Sequence, residues 1–220
     1  MSSAADIMAA TFADPTDRYA HGILGDAIEH GSLVLTLSDG KRVRIVLPKT
    51  RVFEDTQPRL FDVDGDGERE VIVVESHQDL GARLSVYGSD GLEAANEHIG
   101  RANRWLSPVG VGAADLDGDG RVELVYVDRP HLAKTLRIYE FRPGQLKLEA
   151  SFEAVTNHRI GERDIAGGIR TCDAGPEMIV ADAAWSEILA IRWDGRRFDL
   201  SRLGPHQGRS SFFAAMDCKL

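Results

Sequence analysis

The sequence contains no apolar run approaching the ~18 residues that a membrane-crossing helix requires, so no helical membrane span is expected. Positive charge is in the minority: 26 Lys and Arg stand against 35 Asp and Glu, a net charge of −9. A general nucleic-acid surface needs a basic face and is excluded on that balance; bound divalent cations would instead cancel part of the excess. No segment sustains a helical apolar period, so little helix is expected. The signatures of common catalytic machinery are missing as well: there is no G-x-S-x-G, H-E-x-x-H, phosphate-binding loop or paired C-x-x-C. Cysteine is scarce, with only Cys172 and Cys218 present. Two readings stay open for them, a pair of free thiols or one disulfide, and the second implies an oxidising compartment. The first residues, Met1 to Asp6, lack the basic start and apolar core of a secretory leader. The sequence is therefore read either as cytosolic or as a mature exported form with an added start.

What the sequence has in abundance is carboxylate in two tight loops. Asp62-Val63-Asp64-Gly65-Asp66-Gly67-Glu68-Arg69-Glu70 and Asp115-Leu116-Asp117-Gly118-Asp119-Gly120-Arg121-Val122-Glu123 share one pattern and begin 53 residues apart. Each packs at least four carboxylates around two turn glycines. Calcium takes several hard oxygen ligands from a flexible loop. The first, third and fifth positions can aim carboxylates at one centre, and the two glycines permit the backbone angles of the wrap. The seventh position, Glu68 or Arg121, can offer its carbonyl, and the ninth, Glu70 or Glu123, a last carboxylate. An EF-hand starts the same way but needs a bidentate Glu at its twelfth position; Val73 and Tyr126 stand there, inside expected strands.

The loops also set a repeat. Each precedes a short β-branched run, Val71–Val74 and Leu124–Val127, and a second run follows, Arg83–Tyr87 and Thr135–Tyr139. A Gly turn and a more polar strand close the unit. Glu177–Asp182 with Glu187–Gly195 form a degenerate third copy, and Gly22–Leu47 a further one that lacks its first strand. Ser211–Asp217 resembles Val111–Asp115 and is expected to supply that strand. A period near 50 residues with about four strands per unit predicts an all-β, small β-propeller. Four blades are expected (18–55 plus 209–217, 56–106, 107–157 and 158–208), closed by the C-terminal strand joining the N-terminal blade. Residues 1–17 are an N-terminal extension able to support a fifth, partial blade.

Phe61–Gly67 and Gly112–Gly120, each followed by an acid and an apolar strand, resemble the FG-GAP/VCBS repeats of integrin α-chain heads and many secreted bacterial proteins. The resemblance covers about 100 residues well and the other repeats weakly. It implies two structural calcium ions, one per loop. It further implies a secreted or periplasmic, monomeric binding module for a protein or carbohydrate ligand.

A second constellation recurs on the face expected opposite the acidic loops. The second strand of each repeat ends in an acid: Asp26, Glu75, Asp128 and Asp182. Beyond them lie His30, His77 and His131, and the loops after fourth strands carry Arg101, Trp105, His158, Arg159 and His206. One reading is a polar ligand pocket at the channel mouth; a hydrolase or lyase using His and carboxylate is its enzymatic variant. The other reading has the acids binding backbone amides and arginines of the fold. Cys172 and Cys218 fall at equivalent places in neighbouring repeats, where a bond would tie down the C-terminal strand.

Overall fold

A computed structural model describes residues 5–172 and 175–220, with the side chain of Val111 left aside. Among them are seventeen strands and one helix: β1 Ile7–Thr16, β2 Glu29–Leu37, β3 Arg42–Val46, β4 Arg51–Phe53, β5 Arg59–Phe61, β6 Glu70–His77, β7 Gly81–Gly88, β8 Gly91–Ala95, β9 Leu106–Ala114, β10 Glu123–Asp128, β11 Thr135–Arg142, β12 Gln145–Glu153, β13 Val155–Thr156, β14 Gly168–Cys172, β15 Gly175–Asp182, β16 Glu187–Trp193, β17 Phe198–Pro205 and α1 Arg209–Met216. The protein is all-β in class, and the strands lie where the β-branched runs predict them.

The chain divides into two compact units. The first runs to Leu106 and takes in Phe141–Leu146 and Ile160–Arg163. Its sheet runs β1-β2-β4-β6-β7-β8, with β3 also on β2 and β5 also on β6. The β6–β7 ladder pairs Val71 with Tyr87 through to His77 with Gly81. Both strands are buried along nearly their whole length, which explains why they read as continuous apolar runs rather than alternating ones. Ile7, Leu33, Leu35, Phe53, Val71, Val73 and Tyr87 share one core cluster.

The second unit holds the sheet β13-β15-β16-β17, with β14 also on β15, and most of the sheet β12-β11-β10-β9. Val109, Val125, Val127, Leu136, Ile138, Met178, Val180, Leu189 and Ile191 form its main core. Burying such side chains contributes ~1.5–3 kcal/mol each.

One strand position is split in two of the sheets. β4 and β5 pair successive stretches of β6, and β13 and β14 do the same on β15. The interruptions, 54–58 and 157–167, carry the buried polar residues Glu54, Asp55, Asn157 and His158.

Two expectations are corrected at the termini. The strand predicted over Ser211–Asp217 is part of helix α1 and the turn after it. Phe212, Phe213, Ala214, Ala215 and Met216 carry no alternating pattern, and Phe212 and Ala215 instead bury one helical stripe against Ala166, Ile179, Ala181 and Ile188. Residues 7–16, expected within an N-terminal extension, form β1, antiparallel to β2 from Ile7–Leu37 to Thr16–Glu29. β2 thus takes its antiparallel neighbour from residues 7–16.

The cysteines form a disulfide, Cys172 to Cys218, with a Cα–Cα distance of 6.2 Å. It fastens the segment after α1 to β14. Arg170 on β14 reinforces the attachment by donating to the carbonyl oxygens of Ala215 and Leu220 (3.3 Å to the latter) while pairing with Glu177 at 2.8 Å.

Candidate metal loops and ligand face

The two acidic loops fold with one hydrogen-bond scheme. In the first, Asp62 accepts from the amides of Gly65 (2.8 Å) and Gly67 (3.0 Å), Asp64 from Asp66 (3.1 Å), and Asp66 from Glu68 (2.8 Å). In the second, Asp115 accepts from Gly118 (2.8 Å) and Gly120 (3.0 Å), Asp117 from Asp119 (3.2 Å), and Asp119 from Arg121 (2.9 Å). The glycines explain the match: Gly65, Gly67, Gly118 and Gly120 all have φ between 78° and 92°, a region that disfavours side chains with a Cβ. The ninth-position acids close each loop. Glu70 accepts from Val63 and Glu123 from Leu116, both at 2.8 Å.

These two glutamates are almost fully covered, 5% and 2% exposed. Burial, helped by the charges of the loop aspartates, pushes each carboxyl up to about 7. The loops therefore hold more negative charge than their own hydrogen bonds neutralise, which is the condition a cation relieves. Oxygens of Asp62, Asp64 and Asp66 lie within 4.8 Å of one another, as do those of Asp115, Asp117 and Glu123. The donors are all hard oxygens, a set that fits Ca²⁺ or Mg²⁺ rather than a softer metal.

The loops differ at the seventh position. Arg121 in the second loop turns its guanidinium onto Asp119 and onto Glu140 (3.0 Å to the latter). This accounts for Asp119 standing outside the gathered trio while Asp66, next to Glu68, stands inside its own. Each loop is also held from outside. Asp6 takes the Arg69 amide (2.9 Å) and guanidinium (2.6 Å) beside the first loop. Beside the second, Gly195 (φ 82°) approaches so closely that a Cβ there would lie 2.6 Å from Asp117 Oδ2. A cleft of about 460 Å³ opens there, lined by Leu116, Asp117, Trp193, Arg197 and Phe198 among others.

The repeated acids of the expected ligand face are engaged within the fold. Glu75, fully buried, accepts from Arg51 (2.9 Å), Arg83 (3.0 Å) and the Tyr87 hydroxyl (2.6 Å). Burial opposes its charge, but Arg83, Tyr87 and Ser85 outweigh it, and the carboxyl sits below its usual range. Asp128 is gripped by Arg129 at 2.8 Å and Arg137 at 3.1 Å. Asp182 caps a turn by accepting from the amides of Ser186 (2.6 Å) and Glu187 (3.1 Å). Asp26 accepts from the Ile28 amide at 3.0 Å and lies 3.7 Å from Arg163.

The rings pair off. His77 meets His98, His131 meets His158 and Trp185 meets His206, each edge to face at 5.2–5.7 Å. Residues 77, 131 and 185 are evenly spaced, so this is a repeated clasp between the loop after a second strand and the residue leaving a later one. His158 is fully buried, with Nδ1 3.3 Å from His131 Nε2. Arg159 stacks over Trp185 at 4.4 Å, and His30 stacks on Phe12 at 5.4 Å. Trp105, 2% exposed, donates its indole N–H to the Glu54 carbonyl at 2.8 Å. Asn157 does the like to the carbonyls of Pro108 (3.0 Å) and Ser107 (3.4 Å). Arg101 is exposed, and its carbonyl oxygen borders Gly81.

Sequence reasoning missed Glu29, Glu54 and His21. Glu54 and Asp55 are adjacent acids directly after the apolar pair Val52–Phe53, the one signal that could have found the cluster.

The family model described as FG-GAP-like repeat matches residues 62–126, a span that starts in the first acidic loop and ends in β10 beyond the second. No curated protein matches the chain.

Proposed function

We propose, from an FG-GAP-like repeat that contains both acidic loops, that this protein is a calcium-stabilised, propeller-type binding module working outside the cytoplasm. The observation that carries the reading is the hydrogen-bond scheme common to loops 62–70 and 115–123, which leaves three carboxylates gathered in each, Asp62, Asp64 and Asp66 in one and Asp115, Asp117 and Glu123 in the other. Asp62, Asp64, Asp66 and Glu70 would hold one ion, and Asp115, Asp117 and Glu123 the other, with the carbonyls of Glu68 and Arg121 as further donors. The ions would supply charge neutralisation and stiffness, and no chemistry beyond that. A four-bladed arrangement follows from the repeat spacing. The disulfide supports an oxidising compartment.

Ligand contact then falls to exposed side chains rather than to the repeated acids, which are occupied by the fold. A protein or carbohydrate is the ligand class proposed, with Arg101 in the first unit and Arg159 in the second as exposed basic side chains.

One loop lies in each compact unit. Calcium at a hundredfold excess over Kd stabilises a site by about 2.7 kcal/mol, which raises Tm by roughly 5–11 °C for a chain of 220 residues. Calorimetric titration of chelator-treated protein is expected to show two binding events, and Asp62→Asn with Asp115→Asn to abolish both. An unchanged melting temperature in excess chelator, with no heat on adding calcium, sinks the reading.

A further inference from the structure

The first unit contains a group of buried acids that the acidic loops do not explain. Between β1 and β2 the chain runs through Asp17–Ile28 without a strand. That segment carries Tyr19 (5% exposed) and Ile23 (6%) inward. Beneath it lie Glu29, Glu54 and Asp55, at 3%, 0% and 6% exposed. Two of the three have partners. Asp55 is held by both Arg59 nitrogens, at 2.7 and 2.9 Å, and by the Val74 amide at 2.9 Å. Glu54 accepts from His21 Nδ1 at 2.6 Å and from the Ser76 hydroxyl. Glu29 takes no hydrogen bond from any described residue, and its nearest charges are the like charges of Glu54, Asp26 and Asp55.

An ionised carboxylate in that position would be desolvated, unsatisfied and repelled at once. The inexpensive alternative is a neutral acid. We infer that segment 17–28 is a proton-held lid, closed while Glu29 carries a proton and opened when that proton is lost. Opening would let water reach Glu29 and would release Tyr19 and His21 from above Glu54.

The surroundings bear on Glu29 from every side. Asp26, Tyr19 and His21 come from the segment itself and His30 from β2. Glu54 and Asp55 follow β4, and Arg59 lies on β5. Asp26 is partly offset by Arg163, and Arg18 packs beside Gly31 and donates to the Arg51 carbonyl at the outer edge (3.1 Å from Nε). The nearby donors are spent: the Arg59 guanidinium on Asp55, and the His21 ring on Glu54. Burial first, then Glu54, pushes the Glu29 carboxyl up to about 9. The sign follows. A raised carboxyl stabilises the closed form fully below its open-state value near ~4.3 and loses that stabilisation as pH rises towards about 9.

Two amides outside the segment report closure. Gly161 donates to the Ile23 carbonyl at 3.0 Å, and Asn103 to the Tyr19 hydroxyl at 3.1 Å. Hydrogen exchange of the whole protein, corrected for the intrinsic pH dependence, is expected to show protection at Gly161, Asn103 and the segment falling about tenfold per pH unit between pH ~7 and ~8.5. Amides of β6 and β7 should not share that slope. Glu29→Gln should make protection independent of pH over the same range. Infrared difference spectra between the natural protein and Glu29→Gln at neutral pH should show one protonated carboxyl that disappears on alkaline titration, the bands of Glu54, Glu70 and Glu123 being common to both and cancelling. A flat protection profile in the natural sequence, a slope that survives Glu29→Gln, or the absence of that protonated carboxyl band each overturns the inference.

Discussion

Replacing Glu75 separates a structural role from a ligand-binding one. The side chain is fully buried and is the acceptor for Arg51, Arg83 and Tyr87 together. Glu75→Ala removes the carboxylate bonded to both guanidinium groups and leaves the Tyr87 hydroxyl without its acceptor. Breaking one side of such a buried pair costs about 3–5 kcal/mol. The lower end applies here, because Arg51 and Arg83 are 25% and 15% exposed and can recover some hydration. Glu75→Gln retains shape and an acceptor for Tyr87 and should cost roughly 1–3 kcal/mol. A loss of about 3 kcal/mol lowers Tm by some 6–12 °C. Urea unfolding followed at neutral pH and again near pH 4 is the appropriate assay. The Glu75 carboxyl is held below its usual range, so its contribution is present above the unfolded value of ~4.3 and fades as pH falls through the lower folded value. The gap between natural protein and Glu75→Ala should therefore narrow in acid. A change within about 0.5 kcal/mol at neutral pH, the range of surface substitutions, would refute the reasoning and return Glu75 to the ligand face.

Reduction of Cys172–Cys218, which closes a separation of 46 residues, should cost up to about 4 kcal/mol by loop entropy. Protease cleavage after α1 should accelerate with it, and equal rates in oxidised and reduced protein would count against a tether. Gly195→Ala places a Cβ against Asp117 at a positive φ; it should weaken the second calcium event in a titration and leave the first unchanged.

The repeat and the shared fold of both acidic loops were legible because their determinants are local. Glycines at fixed offsets dictate the turn, and carboxylates at alternate positions accept its amides. The β-branched runs announced β6, β7, β10, β11, β15 and β16 for the same reason. The C-terminus was misread because Phe212 to Met216 match a strand in composition, and only their burial against Ile179 and Ile188 decides for a helix. Asp128 and Asp182 end β10 and β15 as their register predicts and Glu75 lies just before the end of β6, whereas Asp26, expected to end a strand, stands in the strandless segment 17–28; register does not, in any case, reveal partners. Arg83 lies across the ladder from Glu75, and Arg51 comes from a different strand of the sheet. Glu29 was invisible for a related reason: its environment is made by Glu54 and Asp55, some 25 residues further along the chain.

The indole of Trp105 and the amide of Asn157 grip main-chain carbonyls, not side chains. Such a joint is inherited asymmetrically. The donor must be encoded at one position, whereas the acceptor comes with any residue at the other, here Glu54 in one place and Pro108 in another. Repeats joined in this way can drift apart in sequence on the accepting side and remain fastened, so the places where the copies look least alike need not be the places where they are most loosely held.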